Sequence, residues 1–106
     1  MLSVAGAQQV FYNTCDSEVA DVAAARLRPQ TIASFVQPVK SVAWRDVPST
    51  YVICDRDNAI PVGAQEAMAA RAGTTHRIDC DHSPFLNHPD EVADLIRAAA
   101  AAPREH

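Results

Sequence analysis

A chain of 106 residues that is 48% hydrophobic and 21% charged is one domain or a piece of one, and too apolar to stay disordered. Its net charge of -4, from 9 basic and 13 acidic residues, comes with no basic stripe interleaved with aromatics, which argues against a nucleic-acid partner. No apolar run approaches the roughly 20 residues that cross a bilayer, and residues 1–9 lack the charged start and apolar stretch of a signal peptide.

Cys15, Cys54 and Cys80 form an odd set without CxxC spacing, the pattern of reduced thiols in a cytoplasmic protein rather than of a disulfide framework. Val10-Phe11-Tyr12 has strand-like content and stops at Asn13-Thr14. Asp16 or Ser17 can cap a helix in which Val19, Val22, Ala23 and Leu27 approximate one face, with Pro29 as its bound. A short helix is expected over 31–35, and 38–48 reads as a connection whose one large anchor is Trp44.

The pattern then changes. Residues 49–54 are a short β-rich run suited to a strand buried on both faces of a parallel sheet. Turn formers at 55–58 end it, and Pro61 opens a helix to about Ala72 that Gly73 closes. Residues 75–79 read as a second strand and 82–86 as a loop. Pro89-Asp90-Glu91 starts a last helix with Val92, Leu95, Ile96 and Ala99 on one face, and the tail from Pro103 is expected to fray. Strand, helix, strand, helix is a βαβα unit with a parallel sheet and right-handed crossover. Two strands leave both outer edges unpaired, so the sheet is short of strands.

Open parallel sheets gather reactive groups beyond the carboxyl ends of their strands. One end here carries Asp55 and Asp57, the other Asp81 and His82. A carboxylate that holds an imidazole by one ring nitrogen leaves the other nitrogen to take a proton from a nucleophile. Taken singly, an Asp after a strand is ordinarily a turn residue, and a loop histidine is ordinarily structural.

The run Cys54-Asp55-Arg56-Asp57-Asn58-Ala59-Ile60-Pro61, the later Gln65 and Met68 to Gly73, and His82-Ser83-Pro84-Phe85-Leu86 with His88-Pro89-Asp90 resemble, in order, the acid segment, following helix and histidine loop of α/β-hydrolases. The segment from Phe11 to Gln30 resembles the end of their small lid, so the likeness spans roughly residues 10–97 and is nearest the branch of esterases, plant methyl esterases and hydroxynitrile lyases. The resemblance implies a partial α/β-hydrolase fold, with the end of the lid and a connection in 1–47, the C-terminal βαβα part of the core in 48–102 and a frayed tail in 103–106. It makes Asp57 the triad acid, with Asp55 as the fallback, and His82 the triad base. Asp55 and Asp81 are otherwise expected to be solvated turn residues. In the complete enzyme the implied chemistry is serine carboxylesterase-like hydrolysis of a small-molecule ester, without a cofactor, in a small apolar pocket for which Phe11, Tyr12 and Phe85 are candidate walls.

The departure from the family is large. No GxSxG occurs, and none of the six serines (Ser3, Ser17, Ser34, Ser41, Ser49, Ser83) has that setting. Under the resemblance Met1 falls where the lid is already under way, so the elbow serine and the oxyanion-hole donors lie upstream, and the chain alone is expected to be inactive. Ser83 has no strained elbow to present it to His82. Hydroxynitrile lyases of this branch carry a lysine after the histidine, so Ser83 favours ester hydrolysis over lyase chemistry.

Three other readings compete. His76, Cys80 and His82 would share a face if extended and could meet zinc, though their spacing matches no zinc motif. Cys54 and Cys80, near the ends of adjacent strands, could form a redox pair, against the commoner case of small buried thiols. The chain could also be a non-catalytic truncated paralogue that associates with itself or with a partner through the unpaired edge of the first strand.

Overall fold

The computed structural model describes residues 3–101. In chain order the elements are α1 (Val4–Phe11), α2 (Ser17–Ala25), α3 (Ile32–Val36), a 3-10 turn (Ala43–Arg45), β1 (Thr50–Cys54), α4 (Val62–Ala69), β2 (Thr74–Ile78), α5 (Pro84–Asn87) and α6 (Pro89–Ala101). The two strands pair in parallel, with Thr50 opposite Thr74 and Cys54 opposite Ile78. The expected βαβα half is therefore present, and α4 supplies the crossover and packs on β1.

β1 forms where Thr50, Tyr51, Val52 and Ile53 put β-branched and aromatic side chains together, and its burial deepens toward Cys54. Ile53, Cys54, Ala69, Ile78 and Cys80 make the buried centre of this half. Ala7, Ala20 and Ala24 are the buried residues of the helical hairpin α1–α2, where small side chains let the helices approach closely. α6 carries Asp90 and Glu91 in its first turn, as helix polarity favours, and Val92 and Leu95 half-buried, while Ile96 faces outward.

Several expectations are corrected. Val10 and Phe11 lie in a helix, not a strand: the Ser3 hydroxyl accepts from the Gly6 N–H at 3.0 Å and starts a helix that runs through them, with Tyr12 as its C-cap. α4 stops at Ala69 rather than Ala72, because the chain turns to bring Gly73 N–H onto the Ser49 carbonyl at 3.0 Å, and Gly73 takes no left-handed conformation. The loop after His82 contains the single turn α5, which Pro84 starts at a position where its missing N–H costs nothing. The tail from Pro103 lies outside the described residues. Among those residues no helix is long and apolar enough to cross a membrane.

Candidate active site

β1 and β2 end in register, so the chain leaves the sheet at Cys54 and Ile78 side by side. Asp55 N–H still donates to the Ile78 carbonyl at 3.0 Å, and Arg56 N–H to that of Cys80 at 2.9 Å, which keeps both segments together for a further turn. Asp57 then folds back, with its N–H on the Cys54 carbonyl. One of its carboxylate oxygens, Oδ1, accepts from the N–H groups of Ala59 at 2.7 Å and Ile60 at 3.0 Å, an Asx turn that fixes the side chain against its own loop.

The other oxygen, Oδ2, lies 2.8 Å from Nδ1 of His82. A carboxylate only accepts, so Nδ1 carries the proton and Nε2 is left with its lone pair outward. Among the described residues Nε2 has no hydrogen-bond partner. The Asp57 side chain is 3% exposed and that of His82 36%, so the acid is enclosed while the imidazole edge stays open. The Phe11 ring packs against the imidazole with centroids 5.4 Å apart, and Tyr12 meets Phe11 edge-on at 6.0 Å. Phe85, the third candidate wall, points into solvent.

The remaining acids near the strand ends have other partners. Asp55 pairs with Arg77, whose Nη2 sits 2.6 Å from Oδ1 while its Nη1 reaches Glu66 at 3.3 Å. Asp55 is thus an exposed turn residue, as expected, but one paired with Arg77 and set apart from Asp57. Asp81 departs from its expected solvation: it is 0% exposed. Its Oδ1 accepts from Ser83 N–H at 2.9 Å, and its Oδ2 from Thr14 N–H at 3.1 Å and from the Cys15 thiol at 3.4 Å. Burial pushes its carboxyl up, but these donors, led by Ser83 and Thr14, outweigh it and hold the group below the ordinary Asp range. Cys15 shifts the other way: its thiol is pushed up to about 11, by burial first and then by Asp81.

Gln65 is the second residue whose role sequence reasoning missed. It is 2% exposed and makes three bonds: Oε1 takes Cys54 N–H at 2.8 Å, and Nε2 donates to the carbonyls of Cys54 and Ile60, both at 2.9 Å. Its amide thus stands in for a strand neighbour at the end of β1 and anchors the Asp57 loop. A polar residue on the sheet-facing side of an expected helix was the available signal for Gln65. For Asp81 it was an Asx pattern, Asp followed two residues later by a backbone donor before Pro84.

The suggested zinc trio is divided among separate partners. His76 Nε2 meets Glu91 at 3.1 Å, the Cys80 thiol lies against Thr14 and Asn87, and His82 is held by Asp57. Among the described residues no three His, Cys, Asp or Glu side chains are grouped to hold a metal ion. Cys54 and Cys80 are both buried free thiols. Ser83 is 3% exposed, with its N–H committed to Asp81.

The family model described as the Alpha/beta hydrolase family matches residues 3–95. The chain belongs to the α/β-hydrolase family. Its two-stranded parallel sheet and flanking helices are a part of that fold. Alpha/beta hydrolase nvfD of Aspergillus novofumigatus is 38% identical over 96 residues, which cover 88% of this chain and 38% of that protein. Norfluorocurarine synthase 2 of Strychnos nux-vomica is 27% identical over 93 residues, covering 81% of this chain and 35% of that protein. A pimeloyl-acyl-carrier-protein methyl ester esterase of Xanthomonas campestris is 36% identical over 58 residues, 52% of this chain and 23% of that enzyme. This α/β-hydrolase chain therefore spans well under half the length of these curated relatives. No solved structure matches it significantly.

Proposed function

We propose that this chain supplies the acid and base of a serine carboxylic-ester hydrolase whose nucleophile lies on a segment outside these 106 residues. The observation that carries the reading is the 2.8 Å contact between Asp57 Oδ2 and His82 Nδ1, with Nε2 left open. In the complete protein a serine Oγ attacks the ester carbonyl carbon while its proton passes to Nε2 of His82. The tetrahedral adduct then expels the alcohol, which takes that proton, and leaves an acyl-serine. Water attacks the acyl carbon in turn, gives its proton to Nε2, and the serine is regenerated as the acid departs. Asp57 keeps the imidazole in the Nδ1–H tautomer and stabilises the imidazolium in both halves. Phe11 beside the imidazole, with Tyr12 against Phe11, favours a small apolar group at the reacting ester.

Ester cleavage is preferred because a relative's printed activity is that of a methyl ester esterase and because Ser83 occupies the position after the histidine. The buried setting of Ser83 supports a nucleophile elsewhere. Three free thiols fit a reducing compartment, and we place the protein in the cytoplasm on that ground. A second reading rests on β1, which has β2 as its one strand neighbour among the described residues: the free edge could pair with another chain, a non-catalytic association module.

Labelling with a fluorophosphonate probe tests the choice, using this chain and the same chain extended upstream through contiguous coding sequence. Labelling of the extended form alone is expected, abolished by His82→Ala and slowed by about 10⁴ in Asp57→Asn. Labelling of the short chain that disappears with His82→Ala would place a nucleophile within these residues. Labelling of neither form favours the association module.

A further inference from the structure

The donors gathered around Asp81 join two parts of the chain that are far apart in sequence. Thr14 and Asp81 bond reciprocally: Thr14 N–H donates to Oδ2 at 3.1 Å, and Asp81 N–H donates to Thr14 Oγ1 at 3.2 Å. Thr14 Oγ1 also accepts from Asn87 Nδ2 at 2.9 Å, and Asn87 ends α5, just beyond His82. Oδ1 meanwhile holds Ser83 N–H at 2.9 Å. His82 is thus flanked on both sides in sequence by residues fixed to one buried carboxylate, and that carboxylate is fixed to the turn between α1 and α2.

We propose that Asp81 is a positioning residue for His82, bracing the histidine loop against the Thr14–Cys15 turn so that Nδ1 stays on Asp57. This deepens the triad reading given above and rests on it. The physical case is one of number and burial. Asp57 contributes a single hydrogen bond to His82, and a single bond leaves the ring free to pivot about it. The backbone that carries the ring is set instead by the bonds of a carboxylate that is itself 0% exposed, where a charge-assisted bond is strong and an unmet donor is costly. The turn that Asp81 holds also ends α1, the helix that delivers Phe11 to the imidazole. One carboxylate therefore bears on the ring through the loop and, by way of the α1–α2 turn, through Phe11.

The test reads His82 directly and needs no nucleophile. In protein labelled with ¹⁵N at histidine, solvent exchange of the His82 Nδ1–H is measured in wild type, Asp81→Asn, Thr14→Val, Thr14→Ser and Asp57→Asn. The Asn side chain turns an amide NH2 toward one of the two backbone N–H groups that Asp81 now binds through separate oxygens. Valine removes the hydroxyl while keeping the backbone donor, and serine restores it. Exchange is expected to quicken by about tenfold in Asp81→Asn and Thr14→Val, the factor for losing one such bond, and to stay near wild type in Thr14→Ser. The ring signals of His76 and His88 should not move in any variant. Wild-type exchange in both Asp81→Asn and Thr14→Val overturns the positioning role while leaving the Asp57–His82 pair in place. Equal changes at His76 and His88 also overturn it, by showing general loosening. Should Asp81→Asn fail to fold, Thr14→Val against Thr14→Ser decides alone. An unprotected Nδ1–H already in wild type, unchanged in Asp57→Asn, removes the acid–base pair itself, and the positioning role with it.

Discussion

Replacing Gln65 with Met keeps nearly the same volume and flexibility while deleting every polar atom that joins α4 to the end of β1. Three hydrogen bonds disappear, all at 2.8 to 2.9 Å. Each such bond is worth about 0.5–1.5 kcal/mol net, and buried groups left unmet cost more than the mean bond is worth. Cys54 N–H, Cys54 C=O and Ile60 C=O all lose this partner, and Cys54 sits in the buried centre. The expected loss is about 2–4 kcal/mol, a large share of the 5–15 kcal/mol typical of a domain. Urea unfolding followed by far-UV circular dichroism reads it as a midpoint lower by about 1–2 M at unchanged slope. A loss below about 0.5 kcal/mol, the scale of an ordinary surface substitution, would refute the argument that this side chain replaces a missing strand neighbour. The same variant should loosen the Asp57 loop, since the Ile60 carbonyl is one of the three anchors.

Acid should act selectively through Asp81. Its carboxyl titrates below the ordinary range in the folded chain, so its contribution is fully present above that range and is lost as pH falls through the folded value. Wild type should therefore lose more stability than Asp81→Asn between pH 6 and about pH 3, and parallel losses would contradict the sign. Cys15, with its thiol at about 11, should react with iodoacetamide at neutral pH about tenfold more slowly than a free thiol, because a roughly hundredfold smaller thiolate fraction outweighs the gain in nucleophilicity. Quantitative mass spectrometry over time checks this. Arg77→Met should cost no more than about 1 kcal/mol despite two carboxylate partners, since the cluster is largely solvated. The same urea titration measures it.

The sequence-based expectations succeeded where short-range pattern and physical cause coincide. Residues 50–54 and 74–78 are β-rich runs bounded by turn formers, so both strands and the parallel crossover were legible. That His82 meets a carboxylate from the neighbouring strand end followed from the places where those runs end, and the resemblance pointed to Asp57 rather than Asp55. Phe11 was misassigned because three β-prone residues in a row outweighed a cap eight positions upstream, and Ser3 and Gly6 carry no hydrophobic signal. The burial of Asp81 was out of reach for another reason. Its partners Thr14 and Cys15 lie 67 and 66 residues away, and no local rule links a polar residue to a turn at that separation. Asp55 is an exposed turn residue as expected, and its partner Arg77 was not legible because it lies on the other strand and meets it only after pairing.

The two sets of bonds around His82 also imply an order of folding. Asp57 and His82 are 25 residues apart, whereas Thr14 and Asp81 are separated by 67. Closing the longer loop costs about 0.9 kcal/mol more in chain entropy, taking the logarithmic dependence on length. The shorter loop is also the one whose ends the parallel ladder brings together. The strand–helix–strand unit should therefore close first, with acid and base already facing each other. The helical hairpin would dock afterwards, and its arrival at Asp81 turns a loosely hinged imidazole into a fixed one.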